Sequence, residues 1–386
     1  MTKQDIFDKL LNYYEIMVGK IKNREALKNA IQNILSETDL HVYFLLPFSG
    51  HISLQQLEAK AKRAKITAST FQDALQKLHS EGFIYSYNLP EDGKRVYERT
   101  YSAFVAEHQV RKRKGSEQAK VFAEFWNDLA ENASENLPTK TPYYRVLPIE
   151  ATITESAGKI KLPIYVPIPD PRTVLPIDVI SEIIKKEPLI AVAECYCRLA
   201  ARERGKGCQH TTECCFMFNE AAQSLIESGV ARQVTYEEAM QILYQCEEEG
   251  LVHNVDNCEG KIKALCNCCS CCCPVLDALQ YHKKNIGAPS RFMVVYDEER
   301  CAHDFACVRV CPAFAVKVAG SARKVDYDSC IGCGLCVAAC PEGALQMVLR
   351  PNPPKMARTN QELWTKLRNE AILGTIKRKL LGKKTA

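Results

Sequence analysis

Cysteine is the residue type that most clearly predicts chemistry in this sequence. The chain has 386 residues and 20 cysteines, and the first of these is Cys195. Thirteen lie between Cys195 and Cys273, and seven lie between Cys301 and Cys340. Adjacent cysteines, such as those at 271–273, suit disulfides poorly because a disulfide needs specific Cα separations and side-chain directions. Clustered thiols of this kind are typical ligands of metals and iron–sulfur clusters.

Two cysteine motifs near the end of the chain match each other at an offset of 29 residues. The first reads CAHDFACVRVCP from Cys301 to Pro312, and the second reads CIGCGLCVAACP from Cys330 to Pro341. In the second motif, the three closely spaced thiolates can bind one [4Fe–4S] cluster while the fourth binds another. Structural zinc sites usually have paired cysteine knuckles instead. The spacing therefore predicts iron–sulfur clusters, with Asp304 at the position where the first motif lacks a cysteine.

Residues 295–348, which contain both motifs, resemble the bacterial two-cluster ferredoxin family. The resemblance implies a small β-α-β repeat that holds two clusters. At the Asp304 position two outcomes stay open: the carboxylate binds a [4Fe–4S] cluster, or one corner is absent and the cluster is [3Fe–4S]. The implied ligands are Cys311, Cys330, Cys333 and Cys336 for one cluster, and Cys301, Cys307 and Cys340 with Asp304 for the other.

The cysteines of the middle region predict additional clusters. Neighbouring thiolates raise one another's pKa, so a metal must neutralise them. One or two further [4Fe–4S] clusters are favoured over zinc because of the ferredoxin-like segment that follows. The chain is expected to bind at least one [4Fe–4S] cluster, and between two and four in all. Candidate ligands are Cys195, Cys197, Cys208 and either Cys214 or Cys215 in one set, with Cys266, Cys269 and Cys273 completing it or forming another.

Some residues of the middle region have alternative interpretations. Cys246 lies in a predicted helix that begins after Thr235 and ends at Gly250, and we interpret it as a buried apolar residue. Cys258 could be either a ligand or a buried residue. Arg198 directly follows the C-x-C pair, where it either tunes a cluster or is a surface arginine.

Ahead of the cysteines, the sequence predicts a winged-helix-like domain. Apolar spacing predicts helices over 53–65 and 69–82, and the segments around PEDG predict a hairpin. DNA affinity depends on Lys and Arg side chains that neutralise phosphates, whereas the second helix is nearly neutral. The basic run RKRKG at 111–115 points towards DNA, but such runs are usually solvated surface. A protein-docking or structural role is therefore favoured over nucleic-acid binding.

The fold class predicted for the whole chain is α+β and multidomain. The start lacks the pattern of a signal peptide, and no apolar run is long enough to span a membrane, so we expect a cytoplasmic protein. The expected segments are a helical lead (1–40), the winged-helix-like domain (41–133), an extended connector (134–190), a helical Cys-rich cluster-binding domain (191–290), the two-cluster ferredoxin domain (291–350) and a basic helical tail (351–386).

These features favour an electron carrier over a stand-alone catalyst. Within roughly residues 140–350 the layout also resembles a group of anaerobic iron–sulfur proteins with ferredoxin domains. We find no dinucleotide-binding, P-loop or nucleophile-elbow motif. The favoured function is the relay of single low-potential electrons to or from a partner oxidoreductase, with the basic tail as a possible docking element for an acidic partner. The alternatives are a redox-sensing winged-helix transcription regulator and an enzyme with an open iron site.

Overall fold

The computed structural model separates into two compact units. Unit 1 consists of Met1–Asn136 and Leu189–Val234, and unit 2 consists of Leu137–Pro188 and Thr235–Ala386. The cysteines up to Cys215 therefore belong to unit 1, and those from Cys246 onward belong to unit 2. The structure describes residues 5–18, 20–136, 139–154, 174–282, 286–320 and 322–380. Residues 137–138 and 155–173 of the predicted connector thus lie outside the described residues.

Helices and strands are both present in each unit. The helices are α1 (Ile6–Val18), α2 (Arg24–Gln32), α3 (Glu37–Tyr43), α4 (Leu54–Arg63), α5 (Ala68–Ser80), α6 (Ser102–Lys112), α7 (Glu117–Asn136), α8 (Glu150–Thr154), α9 (Ile180–Ile184), α10 (Tyr196–Glu203), α11 (Asn219–Glu227), α12 (Tyr236–Glu248), α13 (Pro274–Asp277), α14 (Ala306–Val310), α15 (Leu335–Ala338) and α16 (Asn360–Leu380). The strands are β1 (Ile52–Ser53), β2 (Ile84–Asn88), β3 (Arg95–Arg99), β4 (Tyr144–Leu147), β5 (Ile190–Glu194), β6 (Glu213–Phe218), β7 (Arg232–Gln233), β8 (Val252–Asp256), β9 (Ala264–Cys268), β10 (Gly287–Ala288), β11 (Phe292–Tyr296), β12 (Val316–Ala319), β13 (Ala322–Val325) and β14 (Leu345–Leu349).

The first part of unit 1 includes helices α4 and α5 and a small antiparallel sheet. Ser53 and Thr67 accept hydrogen bonds from backbone N–H groups in the first turns of α4 and α5, and these caps fix where the two helices begin. Strand β3 pairs with β1 on one side and with β2 on the other. The helices and the hairpin lie where the sequence predicts them.

The basic run at 111–115 is paired within unit 1. Arg111 is buried, and its Nε donates to the carbonyl oxygen of Glu194 at 2.7 Å. Lys112 and Arg113 both form ion pairs with Glu81, at 2.9 and 2.7 Å. The charges in this run are therefore used to pack α6, which contacts α7 and α10. They do not form a free cationic surface of the kind that phosphate binding requires.

His108, on α6, should make the stability of unit 1 depend on pH. Burial lowers its pKa from 6.5 to about 3, so the folded protein favours the neutral ring. The stability that the neutral ring contributes is fully present above the unfolded pKa of 6.5 and is lost as the pH falls towards 3. We expect the free energy of unfolding to be lower by about 2 kcal/mol at about pH 5 than at about pH 8. Denaturant titrations of the wild type and of His108→Gln at both pH values measure this difference, which the variant should lack; an equal difference in both proteins would contradict the assignment.

The second part of unit 1 places cysteines where β5 ends and where β6 begins. Strand β5 pairs antiparallel with β6 and with β7. The register of the β5–β6 pair shifts between Ala193 and Glu194, just before the chain turns into α10. Cys195 precedes α10, and its N–H donates to the carbonyl oxygen of Thr212 at 2.6 Å. The strand end, the irregular register and the helix start thus bring Cys195 close to β6.

Unit 2 contains three separate strand groups. In the first, β8 pairs antiparallel with β4 and with β9, and β10 runs parallel to β4. The other two groups are the antiparallel pairs β11–β14 and β12–β13, both inside the ferredoxin-like segment. The region 191–290 therefore contains strands as well as helices, and the expectation of a helical Cys-rich domain is not confirmed. The coarser prediction, a multidomain chain with both helices and strands, is confirmed.

The first half of the C-terminal helix α16 packs against the rest of unit 2. Leu363 is fully buried, and the ring of Trp364 lies 5.0 Å from that of Tyr143. Glu370 accepts hydrogen bonds from the backbone N–H groups of Lys140 and Thr141, at 2.7 and 3.0 Å. The helix spans 21 residues. Neither it nor any other helix in the described part of the chain is long and apolar enough to cross a membrane.

Candidate iron–sulfur sites

The two cysteine motifs of unit 2 share an unusual backbone conformation. Positive φ occurs at three pairs of positions that are 29 residues apart. Such a conformation is easy for glycine and costs other residues about 1–2 kcal/mol each. The first half therefore keeps the turn geometry of the complete second motif, although it has no glycine at these positions. The pairs are His303 (59°) with Gly332 (68°), Phe305 (62°) with Gly334 (84°), and Phe314 (51°) with Gly343 (58°).

Gly332 makes a close approach that only glycine allows. A Cβ atom at this position would lie 2.1 Å from the carbonyl oxygen of Phe292 and 2.3 Å from Ser290 Oγ. The Ser290 hydroxyl lies 2.6 Å from the carbonyl oxygen of Gly332 and is buried. The cysteine loop is thus held directly against the start of β11.

A segment from outside the ferredoxin-like region also contacts this loop. The N–H of Ile149 donates to the carbonyl oxygen of Cys333 at 3.0 Å. A Cβ atom at Gly334 would lie 2.6 Å from Thr152 Oγ1, which belongs to α8. The chain at 149–152 therefore packs over the loop and covers one side of it.

Four cysteines of unit 2 surround one small cavity. Burial, together with the nearby Cys311 and Cys330, raises the pKa of Cys333 to about 12. Burial also raises the pKa of Cys336 well above its usual range, with smaller contributions from the other three. These groups can all be thiolates together only if a positive group lies among them, and the iron of a [4Fe–4S] cluster supplies that charge. The cavity is lined by Cys311, Cys330, Cys333 and Cys336, together with Val294, Ile331, Met347 and neighbouring residues.

The ligand set that the ferredoxin resemblance implies for the other cluster includes two cysteines that interact with each other. Burial raises the pKa of Cys307, and Cys340 contributes to the rise. The guanidinium of Arg323 hydrogen-bonds Cys307 and opposes this shift. Arg323 is itself buried and lies 3.6 Å from the centre of the Phe305 ring. The strained backbone at Phe305 thus positions an aromatic ring that holds a cation beside a candidate ligand.

Asp304 and Cys301 lie on the more exposed side of this set. Asp304 is exposed, and its Oδ1 accepts a hydrogen bond from the N–H of Ala306 at 3.0 Å. The sulfur of Cys301 accepts a hydrogen bond from the N–H of His303 at 3.4 Å. The carboxylate therefore stands next to solvent at the start of α14, at the position that matches the buried Cys333.

In unit 1 the structure brings three of the predicted ligands together. Hydrogen bonds with Cys197 and Cys214 lower the pKa of Cys195 well below its usual range. Cys215 is the next residue along β6 and so occupies the other face of that strand. Cys208 lies in the loop after α10, where its carbonyl oxygen accepts hydrogen bonds from Arg202 at 2.9 and 3.1 Å.

Arg198 is a buried contact of this cysteine group. Its side chain is 0% exposed, so the interpretation as a surface arginine is wrong. Nη1 lies 2.8 Å from Cys214 Sγ and donates to the carbonyl oxygen of Thr211 at 2.7 Å. The sequence RLAARER suggests an exposed helix, but its first turn lies at the cysteine site.

The cysteines at the end of β9 form two groups in unit 2. Cys266 and Cys268 alternate with buried Leu265 and Asn267, so they share one face of the strand. Hydrogen bonds with Cys266 and Cys273 raise the pKa of Cys268 well above its usual range. Two of the predicted ligands thus meet around Cys268, which is not itself among the predicted ligands. The two-residue period of the strand is the signal that could have found it.

Cys269 belongs to the other group. Its sulfur and those of Cys271 and Cys272 all lie within 4.8 Å of one another. The structure thus separates Cys269 from the other two predicted ligands of this run, because consecutive residues of β9 and the turn that follows face different ways.

Two further cysteines of unit 2 are buried. Cys246 lies on α12 and is 0% exposed, as expected for an apolar core residue. Burial raises the pKa of Cys258 to about 12, and its thiol lies 3.7 Å from the carbonyl oxygen of Lys261. The surroundings of Cys258 therefore suit a neutral thiol.

Comparison with known proteins agrees with the geometry of the ferredoxin-like segment. Residues 293–341 match the 4Fe-4S dicluster domain family. A probable iron-sulfur subunit from the Frd operon of Proteus vulgaris is 42% identical over 57 residues, which cover 15% of this chain and 36% of that protein. The electron transport protein HydN of Escherichia coli (strain K12) is 42% identical over 52 residues, covering 14% and 30%.

A third relative is covered over most of its length. The pyruvate synthase subunit PorD of Methanothermobacter marburgensis is 31% identical over 65 residues, which cover 17% of this chain and 76% of that protein.

The class defined by the fold and the site is thus that of iron–sulfur proteins with [4Fe–4S] cofactors. The chain belongs to the 4Fe-4S dicluster domain family. It spans only about a third of the first two relatives. No solved structure matches it.

Proposed function

We propose that the chain is an iron–sulfur electron-transfer protein, or part of an oxidoreductase complex, that relays single low-potential electrons to or from a partner oxidoreductase. The observation that carries this proposal is the cavity in unit 2 that four cysteines line, within a segment that matches the dicluster domain. Bound [4Fe–4S] clusters exchange one electron at a time. The chain's own contribution is to bury the clusters, space them and adjust their potentials through charge and hydrogen bonds.

The proposed ligands fall into sets that follow the contacts within each unit. In unit 2, the buried four-cysteine set would bind one cluster. The set with Asp304 would bind the other, either as an Asp-ligated [4Fe–4S] cluster or as [3Fe–4S]. In the middle region, the groups around Cys195 and Cys268 would bind further clusters. The members are Cys311, Cys330, Cys333 and Cys336; Cys301, Cys307, Cys340 and Asp304; Cys195, Cys197 and Cys214; and Cys266, Cys268 and Cys273. Cys208 stays a predicted ligand of the Cys195 set, and Cys269 lies in the separate group with Cys271 and Cys272.

We further propose that the N-terminal region has a winged-helix-like fold with a structural role. The order of α4, α5 and the β2–β3 hairpin supports such a fold. The ion pairs of the 111–115 run and the packing of α6 and α7 against α10 support a scaffold for the unit 1 cysteines. They give no support to a transcription regulator that reads DNA.

Iron and sulfide analysis of anaerobically purified protein, combined with EPR spectroscopy, tests the function. The two ferredoxin-like clusters require about seven or eight irons per chain, and about fifteen or more would indicate clusters in the middle region. The protein should accept electrons one at a time from a reduced viologen dye and return them to the oxidised dye. Fewer than about seven irons, or clusters that are not reversibly reduced, would overturn the proposal.

A further inference from the structure

Two buried arginines lie beside the cysteines of unit 1. Arg198 is on α10, directly after the C-x-C pair, and Arg111 is on α6. Arginine is almost never fully buried unless it is paired, because removing a charge from water is costly. Two such residues at one site therefore require an anionic partner there.

Arg198 makes the more direct contact. Its Nη1 is 2.8 Å from Cys214 Sγ and donates to the carbonyl oxygen of Thr211 at 2.7 Å. A guanidinium this close to sulfur can donate charge-assisted hydrogen bonds to a thiolate.

Arg111 approaches the same group from the N-terminal part of unit 1. Its Nε donates to the carbonyl oxygen of Glu194, the residue before Cys195, and its guanidinium lies 5.2 Å from the centre of the Tyr196 ring. It interacts electrostatically with Cys215 and Cys195. Its Nη2 is buried and has no hydrogen-bond partner among the described residues. This buried donor fits a site that binds an anionic group.

Reduction of a cluster would change the charge that these two arginines face. Glu107 lies 3.8 Å from Arg111 and offsets part of its charge. The Arg198 guanidinium contacts the sulfur of Cys214 directly. A [4Fe–4S] cluster with thiolate ligands is anionic, and reduction adds one more negative charge. A buried cation therefore stabilises the reduced state more than the oxidised state.

We propose that Arg198 and Arg111 raise the reduction potential of a cluster bound by Cys195, Cys197 and Cys214. The two arginines are positioning residues that act through the cluster and its ligands. This inference rests on the proposed function, since it requires a cluster in unit 1.

The experiment is a redox titration of the full-length, cluster-loaded protein followed by EPR. In Arg198→Gln and Arg111→Gln, the midpoint potential of the unit 1 cluster should become more negative. The ratio of reduced to oxidised cluster at a given potential should fall at least tenfold, which is a shift of about 59 mV for one electron. The corresponding lysine variants keep the charge and should shift less. Arg95→Gln is the matched control, because Arg95 is a cation of unit 1 that pairs with Glu227 instead. It should leave the midpoint unchanged.

Iron content separates failure of this inference from failure of the proposed function. Cys197→Ser identifies the unit 1 signal, since it should lose iron and that EPR component. Unchanged iron in Cys197→Ser would mean that unit 1 has no such cluster. Retained iron with an unshifted midpoint in both glutamine variants would overturn the tuning role alone. Loss of unit 1 iron in both glutamine variants but in neither lysine variant would also overturn it, because the charge would then hold the cluster instead of tuning it.

Discussion

Replacement of Cys336 by serine is expected to remove about four irons per chain, the content of one [4Fe–4S] cluster. Cys336 is almost fully buried, and it interacts electrostatically with Cys333, Cys311 and Cys330. The other three thiols line the same cavity, so each of them is already assigned to the cluster and cannot replace the missing ligand. Iron analysis and EPR of the variant measure the loss.

The same substitution should also disturb the neighbouring cluster. Cys336 interacts electrostatically with Cys307, a candidate ligand of the other set. We expect the EPR signal of the second cluster to remain but to lose its coupling to the first. Cys246→Ser is the control, because Cys246 is also buried but lies on α12 as an apolar residue. Full iron content in Cys336→Ser, or equal losses in both variants, would contradict the ligand assignment.

Gly332→Ala is expected to destabilise unit 2 by about 3 kcal/mol or more and to reduce cluster loading. Gly332 has a φ of +68°, and the added Cβ would meet the carbonyl oxygen of Phe292 at 2.1 Å. Neither the strand backbone nor the buried Ser290 beside it can move away freely. Thermal unfolding under anaerobic conditions, together with iron content, measures the effect.

A second glycine of the same segment provides the control for backbone strain alone. Gly320 has a φ of +64°, and a Cβ atom there would meet nothing within 4 Å. Gly320→Ala should therefore cost only about 1 kcal/mol. If the two variants were equally stable, the close approach of the cysteine loop to β11 would not matter for the fold.

The ferredoxin-like segment is predictable from sequence because its ligands are close together in the chain. The spacing in CIGCGLCVAACP places three predicted ligands within residues 330–336, so the local sequence determines most of the geometry of the cluster site. The resemblance to two-cluster ferredoxins implies the fourth ligand, Cys311. The same reasoning identifies Asp304 as the altered position, and the structure adds that its carboxylate is exposed.

The middle region is less predictable because its contacts are long-range. Nothing local in the sequence shows that Arg111 and Glu194, which are 83 residues apart, are hydrogen-bonded. Arg198 has the sequence surroundings of a surface residue, yet the turn from β5 into α10 buries it. Cys268 could have been found from the two-residue period of β9. Its grouping with Cys273, however, depends on the turn that follows the strand.

The contact between α8 and the cysteine loop limits how freely the ferredoxin-like segment can be exchanged. Ile149 and Thr152, which precede it by more than a hundred residues, cover the loop around Cys333 and Gly334. A fragment that contains only the two motifs would leave the Cys333 carbonyl and the adjacent apolar surface open to water. The segment is therefore incomplete without residues 149–152. A transfer of the segment into another protein would have to include these residues, and a stand-alone ferredoxin inserted here would need a surface that fits them.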